Sequence, residues 1–437
     1  MRFKGLRFKV KSRTYIFMKH FITGFILCFC TILCKGQERL IILNEGNWQS
    51  NNARISYFED GVVVSNKWFE EKNGYGIGDT PNDILQVGPD LIAIAINWSN
   101  IIQCITTDGM AVAATEDVPN NRKLATDGKH LYITSYAHEC LTVNGFWNCE
   151  KGFVAKVNLE TFQVEQCCEV GWEPEGIAYY GGFLFIANTG GYAFQEDHDY
   201  ETTVSVVDAS TMKEVRTIDT GVINLYGKMS QSGKYLCINS PGDYYDIPAK
   251  SIIFDCEKAL TSDNCFFVID KPATYNCTDR DGRFFAIGSS FSYYTYEYQF
   301  NTMTIDPRVL FASDGTEGIS YTLPGTVADD IRTRLSSPYG IYVNPYSGYI
   351  YATDANGDFN SPGRLHQWTP AGEYIDNYKI YINPAHFLAL GNWVPAAVDG
   401  MMRPATHHVR PFNLQGIAAG MGSKGVFISG GKKYLRK

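Results

Sequence analysis

Leu184-Phe-Ile-Ala-Asn188 is a short apolar run that ends on an amide, the composition of a buried strand. The pattern returns at Leu40-Ile-Ile-Leu-Asn44, Leu91-Ile-Ala-Ile-Ala95, Leu131-Tyr-Ile-Thr-Ser135, Leu236-Cys-Ile-Asn-Ser240, Phe285-Ala-Ile-Gly-Ser289 and Ile350-Tyr-Ala-Thr-Asp354. Successive copies begin 51, 40, 53, 52, 49 and 65 residues apart. One four-stranded blade with its loops needs about 40 to 50 residues. Seven copies therefore predict an all-β fold, a seven-bladed β-propeller.

Each unit repeats one order: a first strand, a turn such as Asp127-Gly-Lys129 or Gln231-Ser-Gly-Lys234, the apolar strand, a polar loop, then two more strands. Val204 to Val207 runs into Asp208-Ala-Ser-Thr211, and Val154 to Val157 into Asn158-Leu-Glu-Thr161. In both turns the Asp or Asn side chain is suited to accept local backbone N–H groups. The first unit has no room for a strand before Leu40. The strand His386-Phe-Leu-Ala-Leu390 follows the seventh unit's own strands, so giving it to the first blade closes the ring and removes a free edge. No apolar stripe of helical period is long enough to suggest a helical domain.

The sequence divides accordingly into a signal peptide (1–36), the propeller (37–390) and a basic, mobile C-terminal tail (391–437). The signal is read from Arg2, Lys4, Arg7, Lys9, Lys11, Arg13 and Lys19 ahead of the apolar run from Phe21 to Leu33, which is short for a membrane span. The expected first mature residue is Gln37. A lipid-anchored alternative would retain a cysteine, but Leu33 before Cys34 and Phe29 before Cys30 are poor neighbours for that processing. Without residues 1–36, 30 basic residues face 46 acidic ones. That balance excludes nucleic acid as a natural partner.

Nine of the twelve cysteines lie beyond the signal, an odd number for an exported chain. Cys140 with Cys149, and Cys265 with Cys277, flank single loops and are candidate disulfides. The vicinal Cys167 and Cys168 should point to opposite faces of a strand, a structural rather than redox arrangement.

Loops that leave the second strand of every blade emerge on one face of a propeller. Here they carry Asn47 and Trp48, Asn97 and Trp98, Tyr136 and Trp147, Tyr192 and Phe194, Tyr244 and Tyr245, Tyr294 and Tyr296, and Asn356 and Phe359. Aromatic rings provide rigid contact area and amides adaptable hydrogen bonds, so these residues are the candidate site for a polar ligand with flat surfaces. Asp354, Asn356 and Asp358 place oxygens at alternate positions, a spacing suited to calcium, although an EF-hand's Gly and Glu are replaced by Phe359 and Leu365. Asp197-His-Asp199 is the other candidate metal ligand group. No Gly-x-Ser-x-Gly, His-Glu-x-x-His or phosphate-loop motif is present. Gly74-Tyr-Gly-Ile-Gly78 lacks dinucleotide-loop spacing and reads as a turn between blades.

Leu43-Asn-Glu-Gly-Asn-Trp48, Asn52-Ala-Arg-Ile-Ser-Tyr57, Tyr339-Gly-Ile-Tyr-Val-Asn-Pro345, Gly348-Tyr-Ile-Tyr-Ala-Thr-Asp-Ala355 and Pro370-Ala-Gly-Glu-Tyr-Ile-Asp376 carry a family resemblance. Over residues 40 to 390 the chain resembles the YncE-like or surface-layer-type seven-bladed propellers of Bacteroidetes. Some relatives are the BtuG-like lipoproteins that capture cobalamin beside a TonB-dependent transporter. The resemblance implies an exported, periplasmic or outer-membrane-associated capture protein for a small molecule such as a corrinoid. A metal-dependent propeller hydrolase or lactonase and a surface-layer protein-interaction module are the competing expectations.

Overall fold

The recurring apolar runs form the second strand of each blade, as the computed structural model shows for residues 38–116, 118–136, 151–193, 198–291, 298–391 and 393, together with 412–413, 425–429 and 432–436. Seven four-stranded antiparallel sheets each pair in simple order from an inner to an outer strand. The inner strands are Pro384–Ala389 (blade 1), Pro81–Gly88 (blade 2), Asn121–Thr126 (blade 3), Pro174–Tyr180 (blade 4), Tyr226–Ser232 (blade 5), Tyr275–Thr278 (blade 6) and Pro338–Val343 (blade 7). Each packs beside the next around a central channel, and blade 7 meets blade 1.

The ring closes as the strand arithmetic predicts. Leu40, Ile41, Ile42 and Leu43 pair with Ala389, Leu388, Phe387 and His386. The backbone N–H of Leu390 donates to Arg39 O at 3.0 Å, and Asn383 Nδ2 donates to Gly46 O at 2.7 Å. A second fastening crosses to blade 7, where Glu38 Oε1 accepts from Asn344 Nδ2 (2.8 Å), Tyr351 Oη (2.7 Å) and Ser347 Oγ (3.1 Å). The first and last strands of the ring are thus tied to one another and to the preceding blade.

Apolar clusters fill the interfaces between neighbouring blades. Between blades 1 and 2 lie Ile41, Ile55, Trp68, Ile84 and Ile94; between blades 7 and 1 lie Leu40, Ile42, Phe58, Tyr351 and Phe387. Each middle strand is covered on both faces by the adjoining blades. This is why it reads as an unbroken apolar run instead of an alternating one. The turn acceptors behave as their type predicts: Asp208 Oδ1 accepts from Ser210 N (2.8 Å) and Thr211 N (2.9 Å), and Asn158 Oδ1 from Glu160 N (2.8 Å) and Thr161 N (3.1 Å).

Short helices occupy some junctions. Trp68–Asn73 follows blade 1 and buries Trp68 and Phe69, while Gly74 ends it in a left-handed conformation. Pro307–Ala312 and Val327–Arg334 follow the third strand of blade 6, whose outer strand is only Ile319–Ser320, and they account for the 65-residue interval. Residues 399–437 form a separate unit containing an antiparallel sheet of Phe412–Asn413, Gly425–Ser429 and Lys432–Arg436.

One cysteine expectation is corrected. Cys265 and Cys277 are unbridged and buried in different interfaces, the first between blades 4 and 5 and the second between blades 6 and 7. Their nearness in sequence spans a crossing from one blade to the next. Cys168 is buried and Cys167 only partly so, as alternation on a strand requires. Cys140, Cys149 and the signal segment lie outside the described residues.

A buried base gives the fold a pH dependence. His366, in the third strand of blade 7, is 3% exposed, and its Nε2 has no hydrogen-bond partner. Burial lowers its pKa to about 4, with Asp354 opposing and Arg364 and Arg334 assisting. The unfolded chain's histidine titrates near 6.5, so between those values the unfolded state binds more protons. Stability is fully present above about pH 6.5 and declines as pH falls toward 4, by at most about 1.4 kcal/mol per unit. Melting curves from pH 7.5 to 4.5 are expected to fall less steeply for His366→Phe than for wild type; parallel curves would assign the acid sensitivity elsewhere.

Candidate ligand-binding site

The N-terminal end of every inner strand lies on the face from which the aromatic loops emerge, because each inner strand runs antiparallel to the second strand that precedes the loop. In blade 2, Pro81 pairs with Ile96, one residue before Asn97 and Trp98. Six of the seven inner strands break register near this end: at 384–386, 81–83, 121–124, 174–177, 226–230 and 338–340. Bulges leave residues out of the ladder and re-aim them. In blade 5 the φ of +91° at Gly227 is part of that break, placed between Tyr226 and Lys228.

The inner strands enclose a cavity of about 600 Å³. Glu45, Asn82, Arg122, Lys123, Tyr226, Lys228, Tyr275, Asn276, Tyr339 and His386 line its aromatic-face end. Leu85, Ser230, Thr278 and Val343 line it further along the strands.

Charge in this mouth is paired internally. Arg122 Nε donates to Glu175 Oε2 at 2.6 Å, Tyr136 Oη donates to the same oxygen at 2.5 Å, and Lys123 Nζ lies 3.3 Å from Oε1. Burial alone would raise the Glu175 pKa, but the charges of Arg122 and Lys123 and the hydrogen bonds from Arg122 and Tyr136 bring it down to about 2. Lys228 Nζ reaches Asp83 Oδ1 at 2.7 Å. Since one belongs to blade 5 and the other to blade 2, this ion pair crosses the channel. Burial would likewise raise the Asp83 carboxyl, and Lys228, Lys123 and His386 hold it below the ordinary range. Glu45 accepts from Tyr339 Oη at 2.7 Å and faces His386 Nε2 at 3.1 Å. Burial opposes its ionisation, whereas His386, Tyr339 and Lys123 favour it and keep its pKa low. Burial lowers the His386 pKa, against the pull of Glu45.

The loop residues expected at the site divide by exposure. Trp48 (63% exposed) and Trp98 (40% exposed) meet edge to face with ring centres 5.1 Å apart. Asn47 Nδ2 donates to Phe359 O (2.9 Å) and Asn360 Oδ1 (3.0 Å), joining the loops of blades 1 and 7, and Phe359 packs 6.0 Å from Tyr339 at the mouth. Tyr244 and Tyr245 stand exposed on the blade 5 loop. Two candidates are buried: Asn97 donates to Asn120 Oδ1 and Asn121 O, and Tyr136 meets Tyr192 edge to face with its hydroxyl on Glu175. Trp147, Phe194, Tyr294 and Tyr296 lie outside the described residues.

The alternating oxygens of blade 7 already serve a turn. Asp354 accepts from the backbone N–H groups of Ser336, Ser337 and Asn356, and Asp358 from those of Asn360 and Ser361. His198 stacks on Trp172 at 4.3 Å with its Nε2 3.4 Å from Glu173; Asp197 lies outside the described residues. Among the described residues no three His, Cys, Asp or Glu cluster as metal ligands.

The mouth residues themselves were missed by loop reasoning. Their signal was positional: Arg122-Lys123, Glu175, Lys228 and His386 put charge into the opening residues of strands that otherwise face a ring interior.

No protein-family model matches the chain, and no curated protein matches it. Solved structures do match, 817 chains in number, so the architecture is widely shared. Among them is the hydrazine synthase of Kuenenia stuttgartiensis, at 14% identity and a TM-score of 0.51, covering 70% of this chain and 88% of that one. Likeness at that identity shows the fold alone: the chain is a seven-bladed β-propeller.

Proposed function

We propose that the protein is an exported, non-catalytic capture propeller that holds a polar small molecule between its aromatic rim and the channel mouth, handing it to a TonB-dependent outer-membrane transporter. The observation that carries this reading is the cavity enclosed by the seven inner strands, lined by Tyr226, Tyr275, Tyr339, Asn82 and Asn276. A volume of about 600 Å³ lies within the roughly 300–1,000 Å³ of small-molecule sites. The acids there are held by cations and hydroxyls, which favours binding over acid–base chemistry.

A corrinoid is the first ligand to test, on the strength of the family resemblance, followed by glycans and peptides. Calorimetry of the purified protein with cyanocobalamin is expected to give measurable heat. The Trp48→Ala, Trp98→Ala double variant should then lose roughly 2–4 kcal/mol, about 30-fold to 1,000-fold in affinity, because aromatic anchors dominate such sites. An unchanged affinity in the double variant would place the ligand elsewhere, and no heat with any probe class would remove the capture reading.

A further inference from the structure

The composition of the cavity wall narrows the ligand class, on the premise that this cavity is the capture site. Three cations and three carboxylates meet at the mouth: Arg122, Lys123 and Lys228 against Glu45, Asp83 and Glu175. The cations already hold buried carboxylates at 2.6 to 3.3 Å. An incoming anion would have to strip a buried carboxylate of its partner, and an incoming cation would have to do the same to a lysine or arginine; either leaves a desolvated charge unpaired. The mouth therefore offers a charged ligand no net attraction.

For a neutral hydroxylated ligand it offers much more. Tyr226 is 45% exposed into the channel, and Tyr275 and Tyr339 stand beside it with ring centres 6.0 Å apart. Tyrosine faces accept the C–H surface of a saturated ring. Two residues of the cavity wall carry a buried amide nitrogen without a partner. Asn82 is 6% exposed, lines the cavity, and its Nδ2 makes no hydrogen bond; Asn276 Nδ2 is also unpaired, while its Oδ1 is fixed by Ser230 N at 3.1 Å. A buried amide without a partner costs stability, so a ligand acceptor that fills it gains what the free protein lacks. Lys228 follows Tyr226 across the break at Gly227, and its pair with Asp83 spans the channel as a polar crossbar beside the tyrosines.

We infer that the cavity binds a neutral sugar of one or two rings, stacked on Tyr226 and Tyr275 beside the Lys228–Asp83 pair and hydrogen-bonded by the Asn82 and Asn276 amides. The test is calorimetric titration with maltose, cellobiose, lactose and N,N′-diacetylchitobiose, and with two charged counterparts, deacetylated chitobiose and the hyaluronan disaccharide. At least one neutral disaccharide is expected to bind. Both charged sugars should bind at least about tenfold more weakly than it does. Tyr226→Ala and the near-isosteric Asn82→Leu should each weaken the neutral sugar by about tenfold or more with the melting curve unchanged. Failure of every neutral sugar, equal binding of a charged one, or affinity that survives both substitutions would overturn the inference. If cyanocobalamin binds where the sugars do not, the sugar class falls and the capture function stands; if nothing binds, both fall.

Discussion

Deletion of residues 383–390 is expected to abolish folding of the whole ring, not to damage one blade. Those residues supply the inner strand of blade 1, pair with Leu40 to Leu43, and contribute Phe387, Ala389 and Leu390 to the interfaces on both sides of that blade. Without them the strand Arg39–Asn44 presents an open edge to solvent, and the channel loses one of its seven walls. Unpaired edges with apolar faces associate, so the expected product is aggregated chain lacking a cooperative melt. Circular dichroism melting and size-exclusion chromatography of the deleted protein decide the matter: a soluble monomer that melts like wild type would disprove closure by this strand. Adding a synthetic 383–390 peptide to the deleted chain should recover some soluble material.

Removing the Glu175 carboxylate is the point substitution with the largest expected cost. Its side chain is wholly buried and is shared by Arg122, Lys123 and Tyr136, two of which carry charge into a nearly closed site. Glu175→Ala leaves both cations without this counter-charge, and breaking a buried pair in that way costs roughly 3–5 kcal/mol. The lowered pKa agrees in size: a carboxyl that falls from 4.5 to about 2 reflects stabilisation on the order of 3 kcal/mol at about 1.4 kcal/mol per unit. Its contribution is present above the unfolded value and disappears as pH falls toward 2, a window more acidic than that of His366. Urea unfolding at pH 7 should show the full loss for Glu175→Ala and a smaller one for Glu175→Gln, which keeps an acceptor for Tyr136. Equal stability of wild type and Glu175→Ala would mean that the cations find water instead.

The blades were legible because a strand covered on both faces must be apolar throughout, and Leu131-Tyr-Ile-Thr-Ser135 or Leu236-Cys-Ile-Asn-Ser240 have no other plausible use. Closure was legible because strands had to be counted in fours. The helices after the third strand of blade 6 were harder, being too short for an amphipathic stripe, yet Asp306-Pro307 is a capping pair: Asp306 accepts from Arg308 N at 3.0 Å and Pro307 opens the helix. Disulfide reasoning failed at Cys265 and Cys277 because separation along the chain does not say whether two residues face the same interface. The site was half legible. Loop aromatics such as Trp48 and Trp98 declare themselves by type, whereas Arg122 or Lys228 resembles any turn-flanking polar residue until the register break that turns it inward is known.

Those register breaks also separate what holds the protein together from what it recognises. Lys228 and Tyr339 stand between paired positions of their inner strands, and the interface clusters that bind blade to blade lie on other residues. Mouth positions that hold no buried charge can therefore change one at a time, each altering the chemistry presented to a visitor while the ring persists. A scaffold of this kind has a low barrier to acquiring new ligands, and chains that share its outline with little shared sequence should be expected to differ first, and most, at the opening residues of their inner strands.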